Sequence, residues 1–315
     1  MDGPTLKHDW IDLDGHRGSY ALLSPKPHKE TAIVFVHGYG GDSIKTWLEF
    51  QFLIDSLADE YPWYSGCDLF FYKYDGISSH IPASADSFLA FIRDIFPIPR
   101  RDLLDTDVQD FPGDFQSAAY EYYRTLLPNQ YKHLVLVGHS IGGVVLRMAI
   151  WTVLRNAHQI LIDEGVHNCD DSEFIKVEPL LGSDLCLFAP ANLGVNFTGL
   201  LGVIANTRMI GTLLINWLRP VQAAYSDLSS DLPILDDVRK YTEEYSERFP
   251  SVLALRARVL WATTEKVVVM WQYKWDGPVE YCKDVTHTEV CKPTPEFRRP
   301  LEFVSYAQQR RAQAS

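Results

Sequence analysis

Residues 133–151 read HLVLVGHSIGGVVLRMAIW: an aliphatic run of strand length, a serine between glycines, then an apolar segment long enough for a helix. A buried strand that passes at once into a helix is the repeating unit of a parallel sheet covered on both faces, because each parallel strand must return by a crossover. The join is tight. Gly138 and Gly142 stand two residues to either side of Ser140, and a residue held in a strained turn brings its flanks so close that a Cβ there would collide. Either this turn serves packing alone or it presents the Ser140 hydroxyl, as G-x-S-x-G does when it forms a nucleophile elbow between strand and helix.

The rest of the chain repeats the pattern. Aliphatic runs bounded by turn residues predict strands at 31–36 (TAIVFV), 68–74 (DLFFYKY), 184–189 (DLCLFA) and 256–262 (RARVLWA), beside the one at 133–137. WIDLDG and GSYALLS predict an antiparallel hairpin at the sheet edge, and helices are expected at 45–59, 84–95, 115–127, 141–156 and 299–312. The interval 191–250 differs in character: it holds the very apolar stretch 197–218 (FTGLLGVIANTRMIGTLLINWL) and closes on the acidic DDVRKYTEEYSERF. Since RARVLWA then resumes the sheet, the expectation is one α/β domain over 1–315, a mostly parallel central sheet flanked by helices, with 191–250 inserted as a helical cap or lid.

The 315 residues carry a net charge of −12 with pI near 5.3, which argues against broad binding to nucleic acid or an anionic membrane surface. The N-terminus lacks the basic and apolar regions of a secretory signal, so a cytoplasmic location is the expectation. Cys67, Cys169, Cys186, Cys282 and Cys291 are odd in number and lack CxxC spacing, so reduced thiols are expected, with a Cys282–Cys291 bridge as the alternative. Arg208 and two asparagines interrupt 197–218, so no stable membrane insertion is expected.

A serine hydroxyl is a weak nucleophile until a base takes its proton. Among ten histidines His287, in DVTHTEVCKP, follows the last expected strand and precedes the final helix, the place for the base in a serine–acid–histidine chain order. His139 adjoins the serine, but its side chain should point away from the hydroxyl's face and support the structure. The orienting acid should follow the strand after the cap, where ATTEKVV places Glu265, with Asp276 and Asp284 in reserve; the loop after DLCLFA offers Asn192 and no nearby carboxylate. An oxyanion needs two N–H donors: Ile141, after the serine, and Tyr39 or Gly40, with Tyr39 favoured, in the glycine-rich VHGYGGDSIKTW. That loop lacks the phosphate-cradling patterns G-x-x-x-x-G-K-[ST] and G-x-G-x-x-G.

VHGYGG...TW, LVGHSIGGVV and HTEVCKP together resemble the α/β-hydrolase superfamily, specifically its lipase-like serine esterase branch, which includes GPI inositol-deacylase-like and serine-active-site-containing lipase-like proteins. The resemblance covers roughly 30–190 and 250–300. It implies acyl-ester hydrolysis through an acyl-serine, no cofactor, Ser140 as nucleophile, His287 as base, and Tyr39 and Ile141 as the oxyanion hole. Two departures stand out. ATTEKVV carries glutamate where the family more often has aspartate in G-x-x-D-x-V-V, and VVVMWQYKWDGPVEYC (267–282) is an alternating insert that could form a hairpin turning at Asp276–Gly277, resting over the site or simply extending the sheet edge.

The segment 197–218 reads as a lid or pocket wall, with Leu200, Leu201, Ile204, Ile210 and Leu214 lining an acyl-chain pocket, or else as a helix pair packed on the core or a dimer interface. The expected partner is a small-molecule or lipid ester with a medium or long acyl group, and the sequence leaves the oligomeric state open. A scaffold with an incomplete triad, acting as a binding or signalling module, is the competing reading.

Overall fold

The computed structural model describes residues 8–26, 29–76, 79–104, 125, 127–166, 170–193 and 233–314. Eight strands form one sheet: β1 (Asp9–Asp12), β2 (Tyr20–Leu23), β3 (Thr31–Val36), β4 (Cys67–Tyr72), β5 (His133–His139), β6 (Asp184–Phe188), β7 (Arg258–Ala262) and β8 (Glu280–Cys282), in the order β1-β2-β4-β3-β5-β6-β7-β8. The first two run antiparallel at one edge, as the hairpin expectation had it, and β4 through β8 pair in parallel with β3 among them. The described α-helices are α1 (Leu48–Ser56), α2 (Ile81–Ile95), α3 (Ile141–Asp163), α4 (Asp171–Val177), α5 (Pro233–Arg248) and α6 (Arg299–Ala314), with short 3-10 turns at Tyr64–Gly66, Pro179–Gly182 and Leu253–Leu255. Strands before and after 191–250 therefore meet in one sheet. The expected helix 115–127 falls almost wholly outside the described residues, as do Cys169, Leu200, Leu201, Ile204, Ile210 and Leu214.

Every residue of β3 and β4 is buried, which is why their sequences run as unbroken apolar stretches rather than alternating. Aromatic rings fill the layer beside them: Phe35 stacks on Phe71 at 4.8 Å between centroids and meets Trp47 at 5.1 Å. Helix α3 buries a broad face from Ile141 to Leu161 against the sheet. Helix α4, which the hydrophobic pattern alone does not announce, begins at a capping box in which Asp170 accepts from the N–H groups of Ser172 and Glu173, and Glu173 accepts from that of Asp170.

The expected hairpin at Asp276–Gly277 does not form. Residues 267–279 are irregular, but the end of the insert, Glu280–Cys282, does extend the sheet edge, as β8, parallel to β7. The reason lies in side-chain acceptors that take the backbone N–H groups a hairpin would need. Asp276 Oδ2 accepts from Tyr273 N at 3.0 Å and from Arg147 Nη2 at 2.6 Å, while Oδ1 accepts from Ala257 N at 3.0 Å. Both members of this ion pair are buried. Cys67, Cys186, Cys282 and Cys291 are buried free thiols, so the alternative Cys282–Cys291 bridge is absent. Among the described residues, no helix is long and apolar enough to cross a membrane.

Candidate active site

The parallel register sets the site. Val36 pairs with Gly138, His139 with Phe188, Phe188 with Leu260 and Ala262 with Cys282, so the C-terminal ends of β3, β5, β6, β7 and β8 share one edge of the sheet. The loops that leave that edge carry Tyr39, Ser140, Asn192, Glu265 and His287.

Ser140 adopts φ 55 and ψ −123, a left-handed conformation that costs a non-glycine residue on the order of 1–3 kcal/mol and persists only where its surroundings over-determine it. They do so here. Ser140 N–H donates to Phe188 O at 3.0 Å, and Ser140 O accepts from Gly143 N at 3.1 Å and Ala191 N at 3.2 Å. Both sides of the turn are crowded: a Cβ on Gly142 would run into the main-chain carbonyls of Val36 and His37, and one on Gly38 would stand 2.8 Å from Ser140 Cβ. The glycines thus let the loop after β3 lie directly against the serine. Ile141 is the first residue of α3, where N–H groups lack intrahelical acceptors. Tyr39 and Gly40 are the central residues of a turn closed by Gly41 N–H to Gly38 O at 3.1 Å, with Gly40 at φ 59. Ile141 thus directly follows Ser140 at the start of α3, and the two alternatives for the other donor, Tyr39 and Gly40, lie in the loop beside Ser140.

His287 and Glu265 meet. His287 Nδ1 lies 2.9 Å from Glu265 Oε2; the Glu265 side chain is fully buried and the His287 side chain nearly so. Glu265 Oε1 accepts from Val267 N at 2.7 Å and Val268 N at 3.1 Å. Burial pushes the Glu265 carboxyl up, but the hydrogen bond and charge of His287 and the two N–H donors outweigh it, and the pKa settles below the usual carboxylate value. An ionised acceptor at Nδ1 fixes the Nδ1–H tautomer and leaves the Nε2 lone pair free to take a proton.

The reserve acids lie elsewhere in role. Asp276 is committed to Arg147, Tyr273 and Ala257, and Asp284 is exposed at a left-handed turn with φ 60. Asn192, at the other position weighed for an acid, is buried and donates from Nδ2 to Trp271 O at 2.8 Å, tying the β6 loop to the segment that follows Glu265.

His37 is a residue the sequence reading passed over, although it directly precedes the glycine turn. Its buried ring donates from Nδ1 to Gly38 O at 2.9 Å, stacks on Tyr74 at 4.5 Å and holds the turn from beneath. Burial depresses its pKa to about 4. Since the unfolded ring titrates near 6.5, the stability contributed by keeping it neutral is complete above about pH 6.5. It is lost as pH falls toward 4, by roughly 3 kcal/mol for this group. The His37 ring resonances should accordingly stay constant from pH 7.5 to 5 while urea midpoints decline; a titration centred near 6.5 would contradict the burial.

The family model described as the alpha/beta hydrolase family matches residues 33–302, and the chain belongs to that family. Among solved structures it is similar to the peroxisomal alpha-beta-hydrolase Lpx1 of Saccharomyces cerevisiae, with 9% identity and a TM-score of 0.46 over 100% of this chain and 87% of that one. It is also similar to MGS-MChE2, an alpha/beta hydrolase enzyme from a sediment metagenome of the Mar Chica lagoon, Morocco, with 11% identity and a TM-score of 0.43 over 95% and 99%. Phospholipase PlaB of Legionella pneumophila, in complex with thio-NAD, matches with 14% identity and a TM-score of 0.42 over 74% of this chain, which spans 38% of PlaB's length. No curated protein sequence matches.

Proposed function

We propose that this alpha/beta hydrolase is a serine ester hydrolase in which Ser140 is the nucleophile, His287 the general base and Glu265 the orienting acid. The observation that carries the reading is the 2.9 Å pairing of His287 Nδ1 with the buried Glu265 carboxylate, at the same sheet edge as a serine held at φ 55. His287 Nε2 takes the Ser140 proton as Oγ attacks the ester carbonyl. The alkoxide-like oxygen that forms is met by the N–H of Ile141 and of Tyr39. The alcohol then leaves with the proton from His287, and water, activated by the same nitrogen, hydrolyses the acyl-serine. Preference for a medium or long acyl group rests on the apolar composition of 197–218, as does the reading of that segment as a cap. The lipase-like branch resemblance points the same way.

The test is a stopped-flow series of p-nitrophenyl acetate, butyrate, octanoate and palmitate. Hydrolysis with a nitrophenol burst no larger than one equivalent, and a kcat/KM maximum at octanoate or palmitate, is the expected result. Absence of turnover across the series by a folded chain would favour a scaffold that binds without reacting.

A further inference from the structure

Three buried histidines, His37, His139 and His287, lie at the sheet edge that carries Ser140, and the proposed function gives only His287 a chemical task. His139 precedes the serine at the end of β5, a strand bonded on one side to β3 and on the other to β6. Its buried Nε2 lies 2.8 Å from the main-chain carbonyl of His287, and the two rings are 4.8 Å apart between centroids. A carbonyl can only accept, so the proton is on Nε2. On the opposite side of the ring, Nδ1 is 3.1 Å from where a Cβ on Gly38 would stand. The imidazole thus fills the space between the turn at 38–41 and the loop that carries His287.

That loop has bonds of its own. Glu289 accepts from Thr286 N at 2.8 Å and from Thr286 Oγ1 at 2.7 Å, and Val290 N donates to Thr286 O at 3.0 Å. These fix the loop's shape. Thr264 Oγ1 donates to Val285 O at 2.5 Å and so ties it to the segment bearing Glu265. Neither set of bonds reaches the strand that carries Ser140, whereas the hydrogen bond from His139 does. His287 is then pinned twice, by its ring through Nδ1 to Glu265 and by its main chain through the carbonyl to His139. Two pins on a side chain with two rotatable bonds determine where its free nitrogen stands.

We infer that His139 is a positioning residue for His287, setting the distance from the His287 imidazole to Ser140 through a hydrogen bond to the His287 main chain. The inference rests on the proposed roles of Ser140 and His287. It treats the N–H of His139 as what matters, so a side chain of similar length with an N–H should replace it, and one without should not.

The test compares His139→Gln, which keeps an N–H donor, with His139→Met, of similar length and lacking one, in the full chain. Urea midpoints show that each is folded. The rate constant for fluorophosphonate labelling of Ser140 is read by intact mass, and the His287 Nδ1–H resonance by downfield proton NMR. A displacement of about 1 Å at a reacting group costs on the order of 10²-fold. His139→Met should therefore label about 10- to 100-fold more slowly through the maximal rate constant, with the concentration dependence unchanged, and should lose or shift the Nδ1–H resonance. His139→Gln should stay close to wild type in both. Labelling of His139→Met at the wild-type rate, or of His139→Gln as slowly as His139→Met, would overturn the inference while leaving the serine hydrolase reading intact. Should wild type itself fail to label, that reading falls and the resonance decides: unchanged in all three chains, it overturns the positioning role; lost only in His139→Met, it supports it. If His139→Met does not fold, His139→Asn takes its place, since its shorter amide should not reach the carbonyl; wild-type behaviour of that variant would overturn the inference.

Discussion

Ser140→Ala should lower kcat for ester hydrolysis by on the order of 10⁶-fold and leave the fold intact. The size of the loss follows from the way the site is built. In the proposed mechanism, replacing the hydroxyl would remove the atom that forms the acyl bond, and the described thiols near the C-terminal edge of the sheet are not placed to take over. Cys186 and Cys291 are buried, and burial pushes the Cys291 thiol up to about 12. The fold should survive because the main-chain bonds that hold residue 140, to Phe188, Gly143 and Ala191, involve no side-chain atom. Alanine at φ 55 bears the same Cβ as serine and adds no strain. Residual activity would come from the N–H groups of Ile141 and the glycine turn acting on a bound ester with water as nucleophile. Steady-state assays with the most reactive p-nitrophenyl ester, alongside urea unfolding, measure both halves of this expectation. A variant retaining a tenth of wild-type kcat would remove Ser140 from the reaction.

Glu265→Gln should cost about 10⁴-fold in kcat with little change in KM. A glutamine can still meet His287, but it presents an amide where an ionised carboxylate was. The imidazole is no longer held with its proton on Nδ1, and the imidazolium formed in the transition state loses its partner. The sequence alone left room for a milder effect, with Asp276 or Asp284 standing in. The structure argues against rescue from Asp276, whose carboxylate is buried and occupied by Arg147 and two main-chain N–H groups. Withdrawing it from Arg147 would leave a buried cation unpaired, which costs about 3–5 kcal/mol. Asp284 sits exposed at its own left-handed turn. A loss of tenfold or less in Glu265→Gln, measured as kcat at saturating ester, would show that another acid orients His287.

The sheet was legible because its strands are buried on both faces, and a fully buried strand writes itself as an unbroken aliphatic run: TAIVFV and HLVLV match β3 and β5 to within two residues. The elbow was legible for a steric reason, since Gly142 lies where any side chain would strike Val36 and His37. Glu265 and His287 could be named from chain order, and their contact at 2.9 Å joins residues 22 positions apart. Residues 267–279 were misread because alternation of apolar and polar residues looks the same whether the N–H groups go to a partner strand or to side chains. Here Val267 and Val268 bond to Glu265, and Tyr273 bonds to Asp276, itself held by Arg147 at a separation of 129 residues. A pattern of apolar and polar residues does not record which carboxylate takes an N–H, nor the distant Arg147 that donates to Asp276 and holds it in place. His37 was missed for a related reason, since its place under the turn depends on Tyr74 from the neighbouring strand's loop. Helix α4 did carry a signal, the Asp170–Glu173 capping box, in a segment too short for hydrophobic periodicity to register.

The most direct measurement of the central claim, that Ser140 is an activated nucleophile, is intact-mass spectrometry of the wild-type chain and Ser140→Ala after incubation with a fluorophosphonate. One adduct per wild-type chain and none on the variant is the predicted result, because only a serine whose proton has an acceptor attacks phosphorus at a useful rate. An unmodified wild-type chain that is folded by circular dichroism, or an adduct that persists in Ser140→Ala, would contradict it.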